Sequence, residues 1–187
     1  MEISEVEIPD NYLISQYNGK IDYKDNFQLK TDMLKNVPKP KDCLVAFFKS
    51  FSPLITKSII VREIIAKKIG LKIAKELSNR QRSKRIDEFE GSIGESIALF
   101  EVLDKNDIEL LTGQTDKHLD FKLSFVSYKE DRYNIIELVT TVKTHNLLGK
   151  IYFLFVKPFH RYFMKRLLRK MNDELIKIEK STNYEMV

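Results

Sequence analysis

Three histidines, one cysteine and a scatter of carboxylates are the side chains of this chain that could carry chemistry, and their spacing limits what they can do. The stretch "TDKHLDF" (Thr115 to Phe121) sets Asp116, His118 and Asp120 at alternate positions, and these are donor types that a metal ion takes. On a strand all three share one face. At about 3.3 Å per residue, however, the two aspartates lie roughly 13 Å apart, whereas donors to one ion must sit within about 4 Å of one another. The spacing excludes a three-residue metal site and leaves Asp116 as a turn residue and His118 tied to a neighbouring strand or loop. No metal or cofactor is expected.

His145 and His160 bracket "IYFLFV" (Ile151 to Val156) and lie about 20 Å apart if that run is a straight strand, too far to act as a pair. With His160 in the first turn of a helix, the helix field disfavours its cation and predicts a neutral imidazole capping or bonding backbone. His118, Asp120 and His160 are the weak candidates for acid or base duty. Cys43, inside "CLVAFF", reads as a small core hydrophobe. Neither GxGxxG nor GxxxxGKS/T occurs, and no nucleophile stands beside a recognisable base.

The elements that hold these residues follow from periodicity. "YKDNFQLKT" (Tyr23 to Thr31) alternates and reads as a first strand; "NVPKPKD" is a loop; "CLVAFFKSF" is a short apolar helix. Ser52 and Pro53 start a second helix, as a capping hydroxyl followed by a proline at the first helical position, and Gly70 ends it. "LKIAKELSNRQRSKRIDEFEG" is polar at its centre and reads as an exposed loop or fraying helix. Beyond Ile93 the period becomes two. "SIALFEVLD", "DIELLTG", "HLDFKLSFVSY" and "YNIIELVTTVKTH" are strands joined by tight polar turns, hence an antiparallel meander.

"IYFLFV" is read as a further buried strand, turned back by "HNLLGK", because an apolar stripe running from Lys150 to Ile178 would have to change faces near Phe163. A helix starting at Pro158 keeps Met164, Leu167, Leu168, Met171, Leu175 and Ile178 on one face and Arg161, Lys165, Arg166, Arg169 and Lys170 around the other. The expected fold is therefore α+β of the helix-grip (Bet v 1/START-like) type. A curved antiparallel sheet wraps around a long C-terminal helix, with two short helices after the first strand.

At 187 residues and 43% hydrophobic content the chain has material for one core, so a single domain is expected over 1–187, with 1–20 as an N-terminal extension and 71–92 as a variable connector. The lone cysteine and the N-terminal "MEISEVEIPDNY", which has no apolar leader, point to the cytoplasm. The longest uninterrupted apolar run is far short of the roughly 20 residues that cross a bilayer. Between Leu138 and Asn172 there is no acidic residue, while eight cations fall there: Lys143, Lys150, Lys157, Arg161, Lys165, Arg166, Arg169 and Lys170. Such asymmetry marks a nucleic-acid or anionic-membrane surface, or simply a solvated face. No stacking aromatics interleave with the charge in a recognisable module, so nucleic acid is not the expected partner.

"FEVLDKNDIELLTGQTDKHLDFKLSF", "TTVKTHNLLGKIYFLFVKPFHRYFMKRLL" and "VREIIAKKIGLK" together resemble the bacterial DUF2867 family, whose members carry a "DxHLDF" stretch, a hairpin of the form T-V-x-x-hN-x-x-G-R/K-x-Y and a "PFH" motif. The resemblance runs from Tyr23 to about Met171 and implies a helix-grip domain similar to the START and polyketide-cyclase-like superfamily. It brings no catalytic residues, since the family's function is unassigned. Lys122 and Lys150 stand where arginine is expected in relatives.

The functional expectation is a non-enzymatic domain that binds a small apolar molecule or lipid in a cavity between helix and sheet. Phe100, Leu119, Phe121, Leu123, Leu138, Val142, Leu154, Leu167 and Met171 are the expected walls, and Thr140 the polar group facing in. The alternatives are an enzyme of cyclase or hydrolase type on a small hydrophobic substrate, or an interaction module that uses the basic helix face. Phe121, Phe155 and Phe163 are large enough to fill such a cavity.

Overall fold

The computed structural model describes residues 1–17, 20–53, 55–57, 64, 67, 70 and 84–185, with side chains to 181. Seven strands form one antiparallel sheet: β1 (Glu2–Glu5), β2 (Tyr23–Thr31), β3 (Ser96–Ile97), β4 (Phe100–Lys105), β5 (Glu109–Thr115), β6 (Leu119–Glu130) and β7 (Tyr133–Thr144). Their spatial order is β1-β2-β7-β6-β5-β4-β3. Helices α1 (Leu13–Gln16), α2 (Pro40–Lys49) and the long α3 (Leu147–Glu185) accompany them among the described residues. The α+β helix-grip layout is thus present, with the meander at its centre and the first long strand, β2, closing beside the last, β7. The first residues are more than an extension, because β1 pairs with β2 from Glu2 opposite Lys30 to Glu5 opposite Phe27.

Local chemistry sets the helix starts. Pro40 opens α2, where its missing N–H would have had no partner, with Asp42 in the first turn and Lys49 in the last complementing the helix dipole. The Ser52 hydroxyl accepts from the Ile55 N–H at 3.4 Å, and Pro53 and Ile55–Lys57 are helical, as the capping signal predicts. Most of the remaining second helix and residues 71–83 of the connector lie outside the described residues. The end of that stretch departs from expectation: residues 84–87 are helical, and Ile86 and Phe89 are buried in the main core rather than exposed.

The sheet has two different faces. One row across it, Asp25, Thr140, Leu123, Thr112 and Val102, exemplifies the face under α2 and α3, where Phe27, Leu29, Phe125, Ile136 and Leu138 meet Phe47, Leu168 and Met171. The opposite face is covered by α1, with Tyr12 and Ile14 against Leu111, Val126 and Val139.

The largest correction concerns "IYFLFV", which is helix and not strand. Both edges of β7 are already occupied, by β2 on one side and β6 on the other, so a strand following β7 has no free edge beside it. The chain instead turns into α3 at Leu147 and carries Pro158 inside the helix, where proline forfeits one backbone hydrogen bond. The apolar stripe does not change faces, because the first half of α3 has two. Gly149, Tyr152, Met164, Leu167, Leu168, Met171 and Leu175 are buried along the inner face. Leu147, Leu148, Ile151, Leu154, Phe155, Phe159 and Tyr162 form a second stripe on the outer face, each between 46% and 70% exposed.

Candidate functional site

Where the inner face of α3 crosses β2 and β7, it meets a polar cluster anchored on a buried carboxylate. Asp25 and Thr140 are cross-strand neighbours, both buried. His160 comes down from α3 and places Nε2 3.1 Å from Asp25 Oδ2, 3.4 Å from Asp25 Oδ1 and 3.3 Å from Thr140 Oγ1. The Tyr23 hydroxyl donates to Asp25 Oδ2, and burial followed by the adjacent Asp25 carboxylate raises the phenol well above its ordinary pKa. The Tyr23 ring lies edge-on to His160 at 6.0 Å and packs on Phe153 at 5.0 Å. Lys157 holds its ammonium 5.0 Å from the same ring.

This geometry corrects the expectation for His160. It sits past Pro158 in mid-helix and bonds two side chains of the sheet instead of backbone. It also limits the chemistry. Carboxylate and hydroxyl both address Nε2, so the ring cannot pass a proton from Thr140 on one nitrogen to Asp25 on the other, as a nucleophile–histidine–carboxylate relay requires. What the cluster offers is a donor and acceptor set, anchored on a buried carboxylate, for a polar group placed beside it.

The other two histidines are elsewhere. The His118 Nδ1–H donates to Asn146 Oδ1 at 3.0 Å, and Oδ1 also accepts the Gly149 N–H at 3.1 Å, so Asn146 is the N-cap of α3. Its amide donates to the Lys117 carbonyl at 3.1 Å. A side chain at Gly149 would put its Cβ 2.1 Å from the His118 carbonyl oxygen, so this position needs glycine for close approach. The "HLDF" and "HNLLGK" stretches therefore meet in a joint that fastens the start of α3 to the β5–β6 turn. His118 is tied to a neighbouring loop, as its spacing suggested, and Asp116 accepts from the Lys117 N–H in the turn. Asp120 pairs with His145 at 2.9 Å on the opposite side of the sheet from the Asp25 cluster. His118, Asp120 and His160 are thus not brought together.

Two more buried carboxylates escaped the sequence reading. Glu137 takes four neutral donors, two per oxygen: Tyr12 at 3.0 Å and Asn26 at 2.8 Å on Oε2, and Gln28 at 2.8 Å and Tyr128 at 3.1 Å on Oε1. Burial, and secondly Glu137, raise the Tyr128 phenol to about 12. Glu109 receives the Leu13 and Ile14 N–H groups at 2.6 and 3.1 Å, together with the Ser124 hydroxyl. Both lie on the α1 face. The available signal was a single glutamate inside the apolar runs "NIIELV" and "DIELL".

Of the expected pocket walls, Phe100, Leu119, Phe121, Leu123, Leu138, Thr140 and Val142 all belong to the face under the helices, and Leu167 and Met171 point at it. Leu154 does not: it is on the outer stripe and 69% exposed. The strand residues pack on one another and on α2, with ring centroids of 5.4 Å for Phe47–Phe125, 5.3 Å for Phe48–Phe100 and 5.7 Å for Phe100–Phe121. Toward the start of α3 the packing thins to a small separate cluster of Leu119 and Tyr152 with Phe121 and Val156. A groove of about 500 Å³ opens on the other face of the sheet, beside Tyr17, Asp120, Lys122, Thr141 and Lys143. Burial there lowers the Lys122 pKa. No helix among the described residues is long and apolar enough to cross a membrane.

Residues 18–167 match the model of a family described as "Protein of unknown function (DUF2867)". No curated protein and no solved structure matches the chain.

Proposed function

The chain belongs to the DUF2867 family, and for this member we propose binding of a small amphiphilic molecule between α3 and the sheet, its polar end beside Asp25, Thr140 and His160. The carrying observation is that cluster: a fully buried carboxylate, answered by a histidine from the covering helix and bordered by apolar side chains such as Phe27 and Leu138. A polar group in such surroundings orients a ligand, while the apolar walls supply affinity.

Room for the apolar part comes from the first half of α3. Tyr152 is buried there, but four other inner side chains, Phe153, Val156, His160 and Phe163, are partly exposed, and Tyr152 and Val156 rest on the small Leu119 cluster while Phe163 reaches the main core. Pro158 removes one hydrogen bond at the boundary between this half and the firmly packed half beyond Met164, so the helix can bend there. Phe121, Val142, Phe153 and Val156 become the walls in this arrangement, and the half of the expected pocket nearer Phe125 stays core. Binding takes place in the cytoplasm on this reading, in keeping with the single Cys43, which is buried, with its thiol pushed up by desolvation.

Thermal shift across a panel of medium- and long-chain alcohols, acids and aromatic acids tests the proposal. A chain-length-dependent rise is expected for one polar-end class, and Thr140→Val is expected to abolish the preference among classes while leaving the unliganded midpoint within a few degrees. No shift for any member of the panel, or equal shifts in Thr140→Val and wild type, contradicts it.

A further inference from the structure

The outer face of α3 is unaccounted for by the fold. Leu147, Leu148, Ile151, Leu154, Phe155, Phe159 and Tyr162 recur at helical spacing and stay exposed, over a length of about 22 Å. Among the described residues, the ring and cation contacts to the stripe are those of Tyr162 with Phe163 and Arg166 of the same helix. Scattered exposed apolar side chains are ordinary, but a continuous stripe of this size marks an interaction surface.

The charge around it says what kind. On a 3.6-residue period Lys150, Lys157 and Arg161 line one flank of the stripe, and from Lys165 onward the same outer face turns cationic through Arg166, Arg169 and Lys170. Among the described residues, Arg161 alone of these has an acidic partner within 4.0 Å, Glu5 at 2.5 Å. No carboxylate lies between Leu138 and Asn172 to neutralise the rest. A surface that is apolar in one half, cationic in the other and along a flank, and too polar to span matches a helix lying in the plane of a bilayer. Leucine and phenylalanine reach below the headgroups, Tyr162 sits at their level, and the lysines and arginines meet lipid phosphates and carboxylates.

We propose that the outer face of α3, from Leu147 to Lys170, docks the protein on an anionic membrane surface. This face is opposite the one that carries His160, so docking leaves the interior cluster free and does not rest on the ligand-binding reading.

Co-sedimentation with vesicles of phosphatidylcholine and phosphatidylserine, against vesicles of phosphatidylcholine alone, tests the proposal. Binding is expected to the anionic vesicles, to weaken as salt rises, and to fall by on the order of tenfold or more in Leu154→Ser/Phe155→Ser. Lys165→Glu/Arg166→Glu should lose a similar factor through charge alone. All four positions are exposed, so circular dichroism and the thermal midpoint are expected to match wild type, and that check separates lost docking from lost folding. Equal binding to both vesicle types, no binding to either, or undiminished binding by the Leu154→Ser/Phe155→Ser variant overturns the proposal. So does a concentration-dependent wild-type dimer that this variant dissolves, which assigns the stripe to a second copy of the chain.

Discussion

Glu137 and Asp25 lie on neighbouring strands, both buried, on opposite faces of one sheet, and they are satisfied in different ways. Glu137 is held by four neutral donors, from the chain ahead of α1, from β2 and from β6. Asp25 is held by a tyrosine of its own strand and by a histidine from the lightly packed half of α3. The first is a network in which both carboxylate oxygens are satisfied twice over by donors from three segments of the chain. The second takes one of its two partners from the covering helix, and on the proposed reading it is the one a ligand competes for. A buried carboxylate by itself says little about function; what answers it, and from which element, says more.

The largest difference between the two carboxylates is expected at Glu137. Glu137→Leu strands four buried or half-buried donors, and a loss of about 3–5 kcal/mol is expected in urea unfolding. Asp25→Asn keeps an acceptor for Tyr23 and His160, and about 1–2 kcal/mol is expected. Equal costs at the two positions would make both carboxylates structural. Gly149→Ala stands between these: its Cβ meets the His118 carbonyl, and moving the start of α3 should cost about 1–3 kcal/mol. Restored stability in a His118→Gly background would not be expected, because the clash is with backbone.

Titration sharpens the contrast with a smaller effect. The Tyr128 phenol is held up near 12 in the folded protein against an ordinary value of 10.0, so the unfolded chain ionises first. Its contribution is complete below pH 10 and is lost as pH rises toward 12, and Tyr128→Phe should flatten that part of the urea-midpoint profile. Asp22 runs the other way. Hydrogen bonds from the Thr144 hydroxyl and then the Thr144 N–H, 2.7 Å each, lower its pKa below 3.8. Its contribution is present above pH 4 and lost as pH falls through the lowered value, and Thr144→Val should shrink that acid-side loss. The carboxylate is almost fully solvated, which makes this the smallest effect of the set.

The central strands were legible because alternation has one period and one buried face, whereas "SIALFEVLD", read as one strand, is the β3–β4 hairpin, and β1 was not read as a strand. Leu119, Phe121, Leu123, Leu138, Thr140 and Val142 lie on the helix-covered face, the side the pattern gave them. The start of α3 was not, because apolar run length does not distinguish a strand buried on both sides from a helix with one buried and one exposed apolar face. The deciding fact, that β7 is already paired on both edges, is long-range. Thr140 was legible as the inward polar group, since one strand register fixes it. Its partner Asp25 was passed over inside the first strand, and His160 was given a backbone role, because their meeting depends on α3 passing over β2 more than a hundred residues later in the chain. The "HLDF" and "HNLLGK" motifs were visible as motifs, yet their meaning as a joint needed the Gly149 contact.

The most direct test of the central claim is native mass spectrometry of the purified protein, with extraction of whatever travels with it, alongside Val156→Trp. The account predicts a stoichiometric small amphiphile on wild type and its loss in the variant, whose added ring fills the space under the first half of α3 while the main core stays intact. A clean unliganded mass for both, or an adduct that Val156→Trp retains at full occupancy, would contradict a binding site between α3 and the sheet.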